Sequence, residues 1–183
     1  MEHYYKNIQG WFDYSDLYSD VVKNFNSGSH FVEVGSWKGA SAVYMGVEII
    51  NSGKEIKLDC VDNWEFDDEI YTSNTDINLW KITAYSEFIE NIKPLSNVIN
   101  YHKLNSIEGS KLYEDESLDF VFIDASHEYE NIKNDLIHWY PKVKFNGVLA
   151  GHDYSSEVKP AVDEFFINKP FNTLGSCWVH NKK

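Results

Sequence analysis

Five groups of polar residues follow, one after another, the β-branched and aromatic runs of this 183-residue chain. They are Glu33-Val34-Gly35-Ser36-Trp37-Lys38-Gly39-Ala40-Ser41, Asp62-Asn63-Trp64, Asn105-Ser106, Asp124-Ala125-Ser126-His127 and His152-Asp153-Tyr154. In open parallel sheets, ligands sit outside the carboxyl ends of the strands. A purely structural domain carries one or two polar ends by chance; five in succession point to a ligand site. The first group separates the ligands. Dinucleotide pyrophosphate asks for G-x-G-x-x-G and a nucleoside triphosphate for G-x-x-x-x-G-K-[ST], and neither occurs here. Gly35 and Gly39 allow a tight turn, but no cluster of glycine N–H groups is present to wrap phosphates. Glu33, under that turn, repels phosphate and suits a cation, or else accepts local N–H bonds. Asp62 stands where a carboxylate reaches both hydroxyls of a ribose, and Trp64 beside it could cover an adenine ring. Their alternatives are a loop cap and ordinary packing. Ribose without phosphate, beside an acid able to face an amino acid's ammonium, points to S-adenosylmethionine.

The elements that must position these groups alternate between strand and helix, the pattern of a parallel α/β sheet. Strands are expected at 31–35, 56–62, 97–104, 118–124 and 143–150, the last turning at Asn146-Gly147. The run Leu118-Asp119-Phe120-Val121-Phe122-Ile123 is nearly all apolar, as a central strand covered on both faces requires. Helices are expected at 13–25, 40–50, 79–92, 128–140 and 158–167, with a short one opening at Ser106 and carrying Leu112 and Tyr113. The 79–92 helix should turn Ile82, Tyr85, Phe88 or Ile89, and Ile92 inward. Phe171 to His180, with Gly175-Ser176 in the middle, suits a closing antiparallel hairpin. The expected fold is α/β: a Rossmann-like, doubly wound, mostly parallel sheet with a C-terminal antiparallel hairpin. Residues 1–29 form a helical segment ahead of the domain at 30–183. Their aromatic cluster, Tyr4, Tyr5, Trp11, Phe12, Tyr14 and Tyr18, either packs on the sheet or roofs an acceptor pocket.

The chain has 16 basic residues, all lysine, against 29 acidic ones, a net charge of −13. Binding to nucleic acid gains from neutralising phosphates with cations, so this balance argues against nucleic acid and against an anionic membrane surface. The longest apolar stretch falls far short of the roughly 20 residues a bilayer needs. No basic region followed by an apolar run opens the chain, so the cytoplasm is the expected compartment. Cys60 and Cys177 sit in apolar strands without metal spacing and are expected as buried thiols.

The motif Glu33-x-Gly35-x-x-x-Gly39, Asp62, the run Phe122-Ile123-Asp124-Ala125-Ser126-His127-Glu128-Tyr129 and the run Gly147-Val148-Leu149-Ala150-Gly151-His152-Asp153-Tyr154 resemble class I S-adenosylmethionine-dependent methyltransferases. The chain is similar to small-molecule O-methyltransferases of the macrocin type and, more distantly, to catechol O-methyltransferase. The resemblance covers about residues 30–180, and the last two runs are its specific part. It implies that Glu33, Gly35 and Gly39, with Ser36 and Ser41 of the same turn, line the methionine part. It implies Asp62 and Asn63 at the ribose, Trp64 and Ser106 near the adenine, and Asp124 beside the cofactor. Such relatives hold magnesium through an aspartate ending strand four and an Asp-Asp pair ending strand five. Asp124 and Asp153 match two of these positions, while His152 replaces the third carboxylate and departs from the oxygen ligands magnesium prefers.

Two mechanisms stay open at Asp124, His127, His152 and Asp153. A divalent ion, with Mg2+ the family's own, would lower the acceptor hydroxyl's pKa; alternatively His127 or His152 is a general base. A structural role, with His127 capping a helix, is the third. The expected function is S-adenosylmethionine-dependent methyl transfer to a small-molecule acceptor, at a hydroxyl oxygen of a sugar, glycoside or catechol. The rivals are a non-catalytic nucleoside-binding module and a nucleotide-sugar enzyme on the same fold. A homodimer is left open.

Overall fold

The structure, a computed structural model, describes residues 1–65 and 75–183, with side chains in the helix beginning at Thr75 described from Ile82 onward. Beyond Asn63–Glu65, the expected acidic loop lies outside the described residues.

Seven strands form one sheet: β1 (His30–Val34), β2 (Lys57–Asp62), β3 (Ile99–Lys103), β4 (Leu118–Ile123), β5 (Val143–Gly151), β6 (Asn172–Leu174) and β7 (Cys177–Asn181). Their order is β3-β2-β1-β4-β5-β7-β6. β1 to β5 run parallel, β7 lies antiparallel on β5, and β6 closes the edge. The chain reverses direction of winding between β1 and β4, which opens the crevice where such sheets bind ligands. The expected class and closing hairpin are therefore present.

Period-2 alternation sends side chains to two cores. Phe31, Cys60, Phe120 and Phe122 face α1 (Ser15–Asn24), α2 (Ala40–Ser52) and α3 (Thr75–Ile92). Val32, Val34, Val121 and Ile123 face the other way, under α5 (Tyr129–Trp139) and α6 (Val158–Phe165). α1 contributes Leu17, Tyr18, Val21 and Val22 to the first core, so the N-terminal segment packs into the domain. Both cysteines are buried and free. No helix among the described residues is long and apolar enough to cross a membrane.

Three local expectations are corrected. Ile82 is 79 % exposed, while Ala84, Phe88 and Ile92 point inward: an i, i+4, i+8 stripe set by packing on α2, which the helical period alone does not choose. Asn146-Gly147 does not turn the chain. It is a bulge inside β5, with Asn146 at φ 64° and a register shift against β4 between Leu118 and Phe120. The helix at Ser106, α4 (Ser106–Ser110), ends before Leu112, which is half exposed, and before Tyr113, whose hydroxyl donates to the buried Asp59.

Candidate active site

The carboxyl ends of β1, β2, β4 and β5 open into one cleft of about 1560 Å³, whose opposite wall is supplied by Gly10–Tyr14 ahead of α1. Two ends of this cleft are built differently.

At the β1–β2 end the chain leaves β1 through Gly35 at φ 86°. A Cβ there would overlap the Asp124 carbonyl oxygen, so the position requires glycine because two backbones meet. The Asp62 carboxylate gathers the loop: Oδ2 accepts the N–H groups of Ser36 (2.8 Å) and Trp37 (2.9 Å), and Oδ1 that of Trp64 (2.7 Å). Burial raises the Asp62 pKa, and these three N–H bonds offset only part of that rise. Glu33 is 1 % exposed and its Oε2 accepts the Tyr18 hydroxyl at 2.7 Å. Burial pushes its pKa to about 7, against the opposing pull of Tyr18, Ser36 and Ser41. Its Oε1 and the neighbouring Ser36 Oγ are buried without hydrogen-bond geometry to any partner. Farther along, Ser106 Oγ accepts the Trp139 indole N–H at 2.8 Å, and Asp135 of α5 is 4 % exposed, its pKa raised by burial to about 6.

At the β4–β5 end the contacts are between side chains. Asp124 Oδ2 accepts the Tyr14 hydroxyl at 3.1 Å. His152 Nδ1 lies 3.6 Å from Asp124 and 3.4 Å from Asp153, while its Nε2 pairs with Asp13 at 3.0 Å. His127 Nε2 is 3.1 Å from Asp153 and 3.8 Å from Asp124. One ligand atom from each of Asp124, His152 and Asp153 falls within 4.8 Å of the others. Burial favours neutral His152, but the hydrogen bond and charge of Asp124, then Asp153 and Asp13, outweigh it and raise the pKa to about 9. The Asp124 hydrogen bond likewise raises His127. In Asp124 itself, burial works upward and the two imidazoles prevail, leaving it below the usual carboxylate value. Asp153 sits at φ 51° and Trp37 at φ 44°, left-handed conformations that the surrounding contacts must hold.

A methyltransferase-domain family model matches residues 32–154, two thirds of the chain. The chain belongs to this methyltransferase family. Solved structures share its fold at low identity. The O-methyltransferase NovP superposes at TM-score 0.65 with 18 % identity, over 92 % of this chain and 79 % of NovP. A Staphylococcus aureus protein assigned as a caffeoyl-CoA O-methyltransferase gives TM-score 0.63 and 16 % identity, over 97 % and 87 % of the two chains. A Streptococcus mutans protein assigned as a methyltransferase, in complex with SAH, gives 0.63 and 12 %, over 95 % and 100 %. Other neighbours are described as rRNA methylases, one of them from Streptococcus thermophilus at 11 % identity and TM-score 0.62, over 95 % and 100 %. No curated protein sequence matches the chain. The fold is that of class I S-adenosylmethionine-dependent methyltransferases.

In this methyltransferase the cleft brings together Gly35, Ser36, Ser41, Asp62, Asn63, Ser106, Asp124, His127, His152 and Asp153 of the residues expected from the sequence. Three stand outside its lining. Trp64 is 5 % exposed, packed on Tyr85 and Phe88, with its indole N–H on the Trp37 carbonyl at 2.7 Å; it is a core residue and no cover for a ring. Gly39 begins α2 at φ 85° and turns its Cβ direction to Phe88 and Ile92. Glu33 lies beneath the turn, against Tyr18. Asp13 and Asp135 are not among the residues expected from the sequence, and Trp11 and Tyr14 enter there only through the N-terminal aromatic cluster. Asp135 left a signal, a carboxylate on the apolar Ile132-Leu136-Trp139 face of α5. Asp13 left none, since its partner lies 139 residues away, and nothing local marks the pairing of Tyr14 with Asp124, 110 residues on.

Proposed function

We propose that this methyltransferase moves the methyl group of S-adenosylmethionine to a hydroxyl oxygen of a small molecule. One observation carries the reading: a single cleft runs from the Gly35–Asp62 loop to the Asp124–His127–His152–Asp153 cluster. The residues fit the cofactor. The buried Ser36 Oγ and Glu33 Oε1 make no full hydrogen bond and leave polar capacity for a ligand at the β1 turn, and a loop gathered on a carboxylate suits ribose and ammonium better than phosphate. Gly35 and Ser36 would hold the methionine part, Asp62 and Asn63 the ribose, and Ser106 with Asp135 the base. Bound there, the cofactor supplies an electrophilic methyl group on a sulfonium. The protein supplies alignment, because in-line displacement needs acceptor oxygen, carbon and sulfur at near-attack distance. Gly10–Tyr14 would close the acceptor side of the cleft.

Asp124, Asp153 and His152 Nδ1 fit a divalent cation. Pairing of His152 Nε2 with Asp13 leaves Nδ1 toward the two carboxylates, the orientation that second-shell carboxylates give to metal-bound imidazoles. A mixed oxygen and nitrogen set suits manganese or zinc better than magnesium. Such an ion would lower the acceptor hydroxyl's pKa. The His152 pKa of about 9 favours a second reading: protonated His152 itself bridges the carboxylates, cannot accept a proton at neutral pH, and leaves His127 to take the acceptor's proton.

Calorimetric titration of the full chain with SAH, NAD and ATP tests the first claim; SAH alone is expected to bind, and preference for NAD or ATP overturns it. Metal analysis then separates the two readings. Asp124→Ala and Asp153→Ala are expected to abolish metal uptake, with turnover lost in chelator and restored by manganese. Full turnover by a metal-free chain moves the assignment to His127.

A further inference from the structure

We propose that the acceptor is a cationic ring compound, carrying a protonated amine on an aromatic or sugar ring whose face packs on Trp11. The inference rests on the methyl-transfer reading and adds to it the charge and shape of the substrate.

Charge is the first observation. Among the described residues, eight Asp and Glu side chains line the cleft and no lysine does, and the chain contains no arginine. Two protonated histidines and one divalent cation would offset four of those eight charges, and the cofactor's net positive charge one more. On the described lining the balance stays negative in every state. Five of the eight, Asp13, Asp124, Glu128, Asp153 and Glu157, stand at the acceptor side, which therefore keeps a net negative charge even with both histidines protonated and a divalent ion bound. Glu128 and Glu157 stand there beside Asp13 and the Asp124–Asp153 pair. Their hydrogen-bond partners are uncharged: Glu157 Oε2 accepts the Tyr129 N–H at 3.0 Å and Glu128 Oε2 the Asn131 amide at 3.1 Å. A cleft lined by one sign of charge concentrates ligands of the opposite sign. It repels coenzyme A thioesters, nucleotides and RNA, whose phosphates would meet no lysine on the described lining.

Shape is the second observation, independent of the first. Trp11 lines the same cleft, is 70 % exposed and stacks on Trp37 with ring centroids 4.9 Å apart at 18°. Trp37 is itself fixed by its N–H on Asp62. A large flat ring held at a cleft mouth receives aromatic faces and the C–H faces of sugars, and its π face attracts cations. The platform and the carboxylates thus favour one class of ligand together.

Binding to the full chain saturated with SAH, at neutral pH, tests this with two charge-matched series. The aromatic one is dopamine, 4-methylcatechol and 3,4-dihydroxyphenylacetate; the sugar one is glucosamine, glucose and glucuronate. In one series the amine is expected to bind about tenfold tighter than the carboxylate, with the neutral member between and the preference shrinking as salt rises. Glu157→Gln should narrow the preference without changing SAH affinity, and Trp11→Ala should weaken all three members alike. The responding series tells whether the ring is aromatic or a sugar. Equal or tighter binding of the carboxylate in both series, or no binding of any member to the SAH-loaded chain, overturns the inference while leaving methyl transfer intact. Failure of SAH itself to bind overturns the reading beneath it.

Discussion

The two ends of the cleft hold their carboxylates by different means. At the β1–β2 end, Asp62 takes three backbone N–H groups and Glu33 a tyrosine hydroxyl; both hold the chain in shape, while Asp62 also lines the cleft. At the β4–β5 end, Asp124 and Asp153 face two imidazoles and a tyrosine at distances from 3.1 to 3.8 Å, and their side chains are 20 % and 41 % exposed. The first end is built by backbone and is part of the fold. The second is built by side chains that keep lone pairs for a cation or a proton. Substitutions at the first should therefore act through stability, and at the second through chemistry.

The largest effect is expected from Gly35→Val, which drives a side chain into the Asp124 backbone from a left-handed φ. A loss of about 4 kcal/mol or more, read as a lowered urea midpoint or as insoluble protein, is the expected result; a stable variant would separate the two ends. Glu33→Gln comes next. The folded-state pKa of Glu33, about 7, lies above its ordinary 4.5, so the folded protein holds a proton that the unfolded chain has released. Its contribution is full below about pH 4.5 and is lost as pH rises through 7, a change of about 3 kcal/mol. The glutamine variant should flatten that slope and gain on the parent at alkaline pH; denaturation curves at acid and alkaline pH with parallel slopes for both proteins would contradict the assignment.

Asp62→Ala removes the acceptor for three N–H groups. Water in the cleft can replace part of it, so about 2 kcal/mol is expected, together with weaker SAH binding by calorimetry; unchanged stability would mean the loop holds without it. The smallest effect on stability is expected from His127→Ala, whose side chain is 56 % exposed. Its midpoint should stay within about 0.5 kcal/mol of the parent, and where His127 takes the acceptor's proton turnover falls tenfold or more. A large stability loss in this variant would erase the contrast between the two ends.

Much of this architecture is legible in the residues. The runs Phe31–Val34, Leu58–Val61 and Leu118–Ile123 alternate or stay apolar as buried parallel strands must, and each is followed by the polar group that the sheet then carries to the cleft. Side-chain direction on helices and in turns is less legible. The period allows Ile82 inward as well as Ala84, and only packing on α2 decides. Trp64 beside Asp62 suits a ring cover or a core residue equally; its left-handed φ of 53° and its contacts with Tyr85 and Phe88 make it the latter.

The sequence by itself determined the strands, the carboxylates that end them, the lack of a phosphate cradle and the negative charge of the chain, because these depend on residue type and local period. Tertiary structure decided which carboxylates are held by backbone N–H groups and which face other side chains across the cleft. That depends on partners brought from far along the chain: Ser36 N–H for Asp62, the Tyr14 hydroxyl for Asp124 and the Asp13 carboxylate for His152, separations of 26, 110 and 139 residues. A hydrogen bond is set by distance in space, and local periodicity carries no record of it.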